Sequence, residues 1–372
     1  MLIRPKRLAG TAIATASLLL VAACGGSAAA PADIDLGSGP AQSGAVKKDA
    51  LKGVNMTFVS YGGVYQKGQQ DAAIDPFAKE SGAQVLQDGP TDYAKIKAQV
   101  DSSNVTWDVV DTDSIWAEAQ CGKLLQPLDY TIIDKSKVPA GLATECSVPA
   151  MQYGMVLAYN KDKFGANPPQ GWADFFDTAK FPGKRAVPGI PGDAAPGPYE
   201  AALVADGVAA DKLYPLDVAR ATKKLDAVRG DLVFWKTGAE SQQLLESGEV
   251  DMVMMWSGRA YAGIKNGATF DVQWNEWMPI MDSLSVPKNA RNPKAAMAMI
   301  NYYLGAQQQA KLTELTSYSP IHTDAQPKLD ELGTSFLTTR PEIVDKSLKV
   351  DGAWWAKNQP EMIEKWSAWL GG

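Results

Sequence analysis

Asp282 lies between Met281 and Leu284, an acid inside an apolar run. A charged side chain in such a setting is usually paired, because an unpaired charge out of water is costly. Trp256 closes a second apolar run, Val250–Trp256, and is followed by Ser257, Gly258 and Arg259. Indole is the best ring for a cation–π contact. Guanidinium can hold a carboxylate through two parallel hydrogen bonds. Further aromatic, small or charged groups sit at the ends of predicted strands: Ser60-Tyr61-Gly62-Gly63, Asp111-Thr112-Asp113-Ser114 and the loop around Asp193. Charge pairing, stacking and hydroxyl donation make up recognition chemistry. Catalytic chemistry lacks its parts. His322 is the single histidine, no Gly-x-Ser-x-Gly elbow occurs, and the Gly/Pro loop 188–197 lacks the lysine of a phosphate cradle. Without a Cys-x-x-Cys spacing or a histidine cluster, no metal and no cofactor is expected.

Alternating elements must position these groups. Strands are predicted at 56–61, 83–86, 107–111, 155–159, 185–187, 232–235 and 250–256. Helices are predicted at 69–81, around Tyr93–Val100, and at 114–121, 173–179, 213–228, 240–247, 293–304 and 360–370. Such alternation predicts an α/β protein with parallel sheets covered by helices. Ligands of such sheets bind outside the carboxyl ends of the strands. The two alternating blocks, about 54–157 and 158–282, are each large enough for a lobe with its own core.

The amino terminus sets the compartment. Arg4, Lys6 and Arg7 precede an uncharged stretch from Thr11 to Ala23, too short to span a bilayer, and the order is that of a signal peptide over residues 1–23. It ends in Val21-Ala22-Ala23-Cys24, which resembles the lipobox of bacterial lipoproteins; an ordinary secretory peptide with a chance cysteine is the alternative. Lipidation of Cys24 would hold the protein on the outer face of the membrane. Losing the three basic residues takes the formal charge from −6 to −9. That acidity argues against nucleic acid and favours cationic ligands. Residues 24–53, rich in Gly, Ala, Ser and Pro, read as a flexible tether. Cys121 and Cys146 remain as a pair in an oxidising compartment, which predicts a disulfide, with two buried thiols as the alternative.

The motifs Ser60-Tyr-Gly-Gly-Val-Tyr65, Trp107-Asp-Val-Val110, Trp172-Ala-Asp-Phe175, Phe181-Pro-Gly-Lys184, Gly248-Glu-Val-Asp-Met252, Trp256-Ser-Gly258, Met281-Asp-Ser-Leu284 and Val286-Pro-Lys-Asn289 run in order across nearly all of 54–372. In that order and spacing the chain resembles the spermidine/putrescine-binding family of ABC-importer solute-binding proteins. The resemblance implies a bilobal periplasmic-binding-protein fold of type II, two sheet lobes joined by crossover strands near Tyr159 and Asp282. Lobe 1 would comprise 54–157 and 283–327, and lobe 2 would comprise 158–282 and 328–372. It implies a monomer that closes on a small amine and docks on a membrane permease. Asp282 would bind the ligand ammonium and Trp256 would stack on it. Tyr61, Tyr65 and Tyr318 would line the cleft, and Thr112 and Ser114 would offer hydroxyls. Asp193 is a possible second acidic contact. The chain departs from the polyamine pattern at Ile280, where a second stacking Trp is expected, at the first loop, and at Arg259, where a small residue is expected. Arg259 in the cleft would repel a diamine and welcome a carboxylate, as in binders of ω-amino acids such as γ-aminobutyrate; alternatively it faces solvent or pairs with Asp111 or Asp113.

Overall fold

Eight strands form one mixed sheet in a computed structural model that describes residues 34–190 and 195–372. They are β1 (Asn55–Val59), β2 (Gln84–Asp88), β3 (Val109–Asp113), β4 (Ser147–Asn160), β5 (Arg185–Pro188), β6 (Leu232–Trp235), β7 (Met252–Trp256) and β8 (Phe270–Ser285), in spatial order β2-β1-β3-β8-β4-β7-β5-β6. The expected parallel pairs exist: β1 with β2 and β3, and β5 with β6 and β7. Between the two parallel sets lie the crossover strands, β4 and β8, antiparallel to each other, with β8 antiparallel to β3 and β4 antiparallel to β7. They are long because each crosses from one half of the molecule to the other, and their ladder is interrupted twice, at Pro149/Met151 and Met155/Leu157. Such irregularities bend and twist a ladder. The expected lobe boundaries, 157/158 and 282/283, fall inside these two strands.

Two sets of cores flank the crossover. Phe58, Phe77, Val109, Leu284, Ile300 and Tyr303 belong to one half. Leu157, Trp172, Phe175, Leu203, Met254 and Trp355 belong to the other. The helix Gly352–Gly371 carries Trp355 and Trp366 into the second core. It begins eight residues before the expected start, with Pro360 inside it. The disulfide Cys121–Cys146 is formed, with Cα atoms 5.4 Å apart, and pins the segment after β3 to the start of β4.

The expectation of a free tether up to residue 53 is corrected over its described part. Leu51 is fully buried and Ile34 nearly so. Asn301 Nδ2 donates to the carbonyls of Gln42 (2.8 Å) and Ala45 (3.0 Å), and Gly44 N donates to the Asn301 carbonyl (2.9 Å). Small and polar residues looked unanchored because most of their partners are distant in sequence: Asn301 some 260 positions away, Lys294 at the Ile34 carbonyl, and Asp134 at Ser43 N. The predicted lipidation residue Cys24 lies outside the described residues, as does Asp193.

Candidate functional site

Strand register gathers the acids. Asp111 and Asp113 alternate with Thr112 along β3, so both project from one sheet face and Thr112 from the other. Asp113 stands directly opposite Asp282 on β8, which places Asp282 on the same face. Asp282 is 6 % exposed, and Asp111 is fully buried. Burial, then the charges of Asp111 and Asp113, pushes the Asp282 carboxyl well above the usual range. Asp111 is pushed up to about 7 by burial, against the lowering effect of hydrogen bonds from Gln69, Tyr65 and Ser60. Asp113 has a second duty. Its Oδ1 accepts from Ile115 N and Trp116 N and caps the helix Ser114–Gln120.

Aromatic rings continue from this face across the molecule. Tyr65 meets Tyr318 edge-on at 5.3 Å between centroids, and Tyr318 lies 5.5 Å from Tyr153. Tyr153 lies 6.5 Å from Trp256, and Trp256 lies 5.2 Å from Trp235. Tyr153 OH donates to Asp282 Oδ1 at 3.3 Å. Tyr61 and Tyr93 share a hydroxyl–hydroxyl bond of 2.8 Å, and Tyr93 stacks on Trp116 at 4.4 Å. Burial first and the Asp282 charge next hold the Tyr153 hydroxyl neutral. Tyr318 is held in place by backbone: Ser319 and Gln152 exchange N–H···O bonds of 2.8 and 3.0 Å.

Arg259 sits in the first turn of the helix Ser257–Lys265. It is half-buried, and its Nε is buried without a hydrogen-bond partner. None of the ion pairs among the described residues involves Arg259, Asp111 or Asp282. Among the described residues Arg259 therefore makes no ion pair with Asp111. Its surroundings are tight. A Cβ on Gly238 would lie 2.8 Å from Arg259 Nε and 2.9 Å from the Trp256 ring, so guanidinium and indole share one glycine-lined floor. Tyr318 feels both charges: burial raises its hydroxyl to about 12, with Arg259 pulling down and Asp282 pushing up.

The structure thus brings together Tyr61, Tyr65, Trp256, Arg259, Asp282 and Tyr318. It does not bring Thr112 and Ser114 to the acids. Thr112 is buried on the opposite sheet face, its hydroxyl without a partner, and Ser114 Oγ bonds Ser283 Oγ at 2.6 Å. Sequence reasoning missed Tyr153 and Tyr93 and gave Asp111, a strand-end acid, no role toward the ligand. Tyr153 is opposite Ile280 in the β4–β8 ladder. An aromatic ring therefore stands one strand away from the position where the polyamine pattern carries its second Trp. Beside Trp256 a pocket of about 430 Å³ is walled by Met155, Pro188, Tyr199, Trp235 and Trp366. Among the described residues no group of three or more His, Cys, Asp or Glu side chains could hold a metal ion.

A continuous sheet with two crossover strands and a polar, aromatic seam at the crossover defines a binding protein of two halves. The sequence pattern of the family described as bacterial extracellular solute-binding protein matches residues 72–339, and the chain belongs to that family. It is a solute-binding protein of an ABC importer and works outside the cytoplasm, as the periplasmic proteins among its relatives do. The Gamma-aminobutyric acid-binding protein of Pseudomonas aeruginosa is 32 % identical over 85 % of this chain and 90 % of its own length. The Spermidine/putrescine-binding periplasmic protein 1 of Haemophilus influenzae is 24 % identical over 70 % of this chain and 74 % of its own. A solved GABA receptor structure superposes with a TM-score of 0.79 at 42 % identity, covering 85 % of this chain and 97 % of that one. A binding protein from A. tumefaciens R10 in complex with agropinic acid superposes with a TM-score of 0.75 at 35 % identity, covering 86 % and 99 %.

Proposed function

We propose that the chain captures a small zwitterionic amine, an ω-amino acid such as γ-aminobutyrate, and hands it to its permease. Asp282 takes the ammonium group and Arg259 the carboxylate, with Tyr61, Tyr65, Tyr153, Tyr318 and Trp256 as the walls between them. Asp193, outside the described residues, would add a further acidic contact. The carrying observation is the Arg259 guanidinium, whose Nε is buried without a hydrogen-bond partner and whose charge, like that of Asp282, acts on Tyr318. A diamine reaching from Asp282 toward Arg259 meets a like charge, worth about 2 kcal/mol at a separation of roughly 8 Å and an effective dielectric near 20. An ω-amino acid of the same length finds a counter-charge at each end. The γ-aminobutyric acid-binding relative from Pseudomonas aeruginosa supports the same choice. A polyamine such as putrescine or spermidine is the second reading, and the relative from Haemophilus influenzae favours it.

Titration calorimetry with γ-aminobutyrate, putrescine and spermidine separates the two. Wild type is expected to bind γ-aminobutyrate at least about 30-fold more tightly than putrescine, from the same 2 kcal/mol. Arg259→Ala is expected to weaken γ-aminobutyrate and to strengthen putrescine. Tight putrescine binding that Arg259→Ala leaves unchanged would establish the polyamine reading instead. The protein acts as a monomer held to the membrane by acylated Cys24. Detergent partitioning of the wild type and of Cys24→Ala, and sedimentation of the soluble form, test these two points.

A further inference from the structure

The acidic face carries one carboxylate more than a single ammonium needs. Asp111 and Asp282 project from the same sheet face, and both are buried. Asp111 Oδ2 is saturated: it accepts from Ser60 Oγ at 3.1 Å, Tyr65 OH at 2.8 Å and Gln69 Nε2 at 2.6 Å. Asp111 Oδ1 is buried and has no partner at all. A buried carboxylate oxygen without a donor is a costly arrangement that calls for a proton or a cation.

Among the described residues none of the groups acting on these carboxylates is a cation. Tyr65 and Gln69 face Asp111 from the chain just after β1, and Tyr303 faces it from the helix Pro293–Tyr303. Tyr61 faces both acids. Asp113 faces Asp282 from β3, Tyr153 from β4, and Tyr318 from the segment after the helix Ala306–Thr316. These groups are acids or neutral hydroxyls and amides. Arg259 acts on Tyr318, and no Lys, Arg or His is among the groups that act on either carboxylate. Asp111 stands opposite Leu284 and Asp282 opposite Asp113, so the two carboxylates are diagonal neighbours on one face. Two ionised carboxylates that near in a site shielded from water repel, and one of them takes up a proton.

We infer that Asp111 and Asp282 share a proton in the ligand-free protein, and that the ligand's ammonium group takes the proton's place when it binds. The reading rests on the ammonium assignment of the proposed function and adds to it a second carboxylate, Asp111, that senses the cation. The charge balance is simple. One proton leaves a carboxyl oxygen for solvent, and one ammonium supplies N–H donors to the oxygens it leaves behind, among them the orphaned Asp111 Oδ1. Burial of both groups works in the same direction. The site therefore selects a group that is a cation over the whole working range of pH, and capture is coupled to proton release.

Calorimetry of γ-aminobutyrate binding at pH 7 in phosphate and in Tris, buffers of unlike ionisation enthalpy, measures the protons released. Wild type is expected to release roughly half a proton per ligand at pH 7, rising toward one at pH 5.5. Its affinity should fall by about tenfold per pH unit once the pair is protonated. Asp111→Asn keeps an acceptor for Ser60, Tyr65 and Gln69 but has no carboxyl proton. Its proton release is expected to fall by more than half and its affinity to vary less with pH from 5.5 to 8.5, the remainder coming from Asp282, which burial still holds up. Equal heats in both buffers for the wild type, or unchanged release in Asp111→Asn, would overturn the inference. A ligand-free measurement stands apart from the ammonium assignment: titration of 13C-carboxyl-labelled aspartates by NMR. One aspartate titrating near neutrality in wild type and absent from Asp111→Asn supports the shared proton, even if γ-aminobutyrate and putrescine give no heat and the functional reading fails. All aspartates titrating below about pH 5 refutes the shared proton, whatever the ligand.

Discussion

Gly258→Ala tests whether the seam between Trp256 and Arg259 is shaped by contact with Tyr318. A Cβ on Gly258 would stand 2.8 Å from Tyr318 Cζ and 3.0 Å from its hydroxyl oxygen, and nearer still to Cε1. Carbon atoms in contact normally keep 3.5–4.0 Å apart, so ring and methyl must separate by roughly 1 Å. The ring has little room to give. It is wedged between Tyr65 at 5.3 Å and Tyr153 at 5.5 Å, and the backbone of the next residue, Ser319, is paired with Gln152. The helix start is equally fixed, because Ser257 Oγ accepts from Gly154 N at 3.1 Å. Overpacking of this kind costs about 1–3 kcal/mol. Both partners line the proposed site, so the strain should appear in binding as well as in stability. The expected result is a melting temperature lowered by several degrees and a γ-aminobutyrate affinity weakened at least about tenfold, the equivalent of 1.4 kcal/mol. Differential scanning calorimetry and isothermal titration provide the two numbers. The double variant Gly258→Ala/Tyr318→Ala should be more stable than the sum of the two single losses, because the clash is gone when the ring is gone. A Gly258→Ala protein with wild-type melting and affinity, or strictly additive losses in the double variant, would refute the reasoning.

Asp282→Asn should weaken binding of the amine by about 2 kcal/mol or more, because a buried ammonium loses its counter-charge, and unchanged affinity in a folded variant would remove Asp282 from the site. Tyr153→Phe removes the hydroxyl that donates to Asp282 and should cost about 1 kcal/mol of affinity with little change in melting, read by titration calorimetry. Replacing Cys121 and Cys146 together by serine opens a loop of sequence separation 25 and should lower unfolding free energy by about 3 kcal/mol in denaturant melts. Asn301→Ala strips the carbonyls of Gln42 and Ala45 of their donor and should cost about 2 kcal/mol, with limited proteolysis newly cutting between residues 34 and 53.

Local pattern revealed the elements whose cause is local. β6 was read at its true limits, 232–235, because an apolar run bounded by Gly230 and Thr237 leaves little choice. The helix at 293 was read from its amino-terminal proline and its apolar stripe. Elements governed by distant partners were misjudged. β4 begins at Ser147, well before the expected 155, because Met151 and Tyr153 owe their strand conformation to β8. The helix predicted over 213–228 is cut to Val218–Asp226, with Asp217 as its cap and a cis proline at 215 before it. Pro360 read as a helix start, since proline suits the first turn and removes a bond elsewhere. The helix nevertheless runs through it, because Trp355 on its amino-terminal side is fully buried and bonds Glu200. The site divides the same way. Asp282 and Trp256 stood out by type and setting. Tyr153 and the role of Asp111 were hidden because sheet register, not spacing along the chain, decides which residue stands opposite which.

The docked segment 34–53 changes the geometry of the lipid leash proposed at Cys24. Thirty free residues would let the nearest lobe roam about 100 Å from the bilayer at full extension, whereas residues 24–33 alone reach about 35 Å. The segment is fastened to Asn301, in the half that also holds Phe58 and Tyr303. Were Cys24 acylated, that half would be the moored one, held in a shallow layer above the membrane, and the half bearing Trp256 would be the freer. A shorter leash raises the local concentration of the loaded protein at its permease without any added contact. Lengthening the chain ahead of Ile34 would then slow uptake while leaving solute affinity as it was.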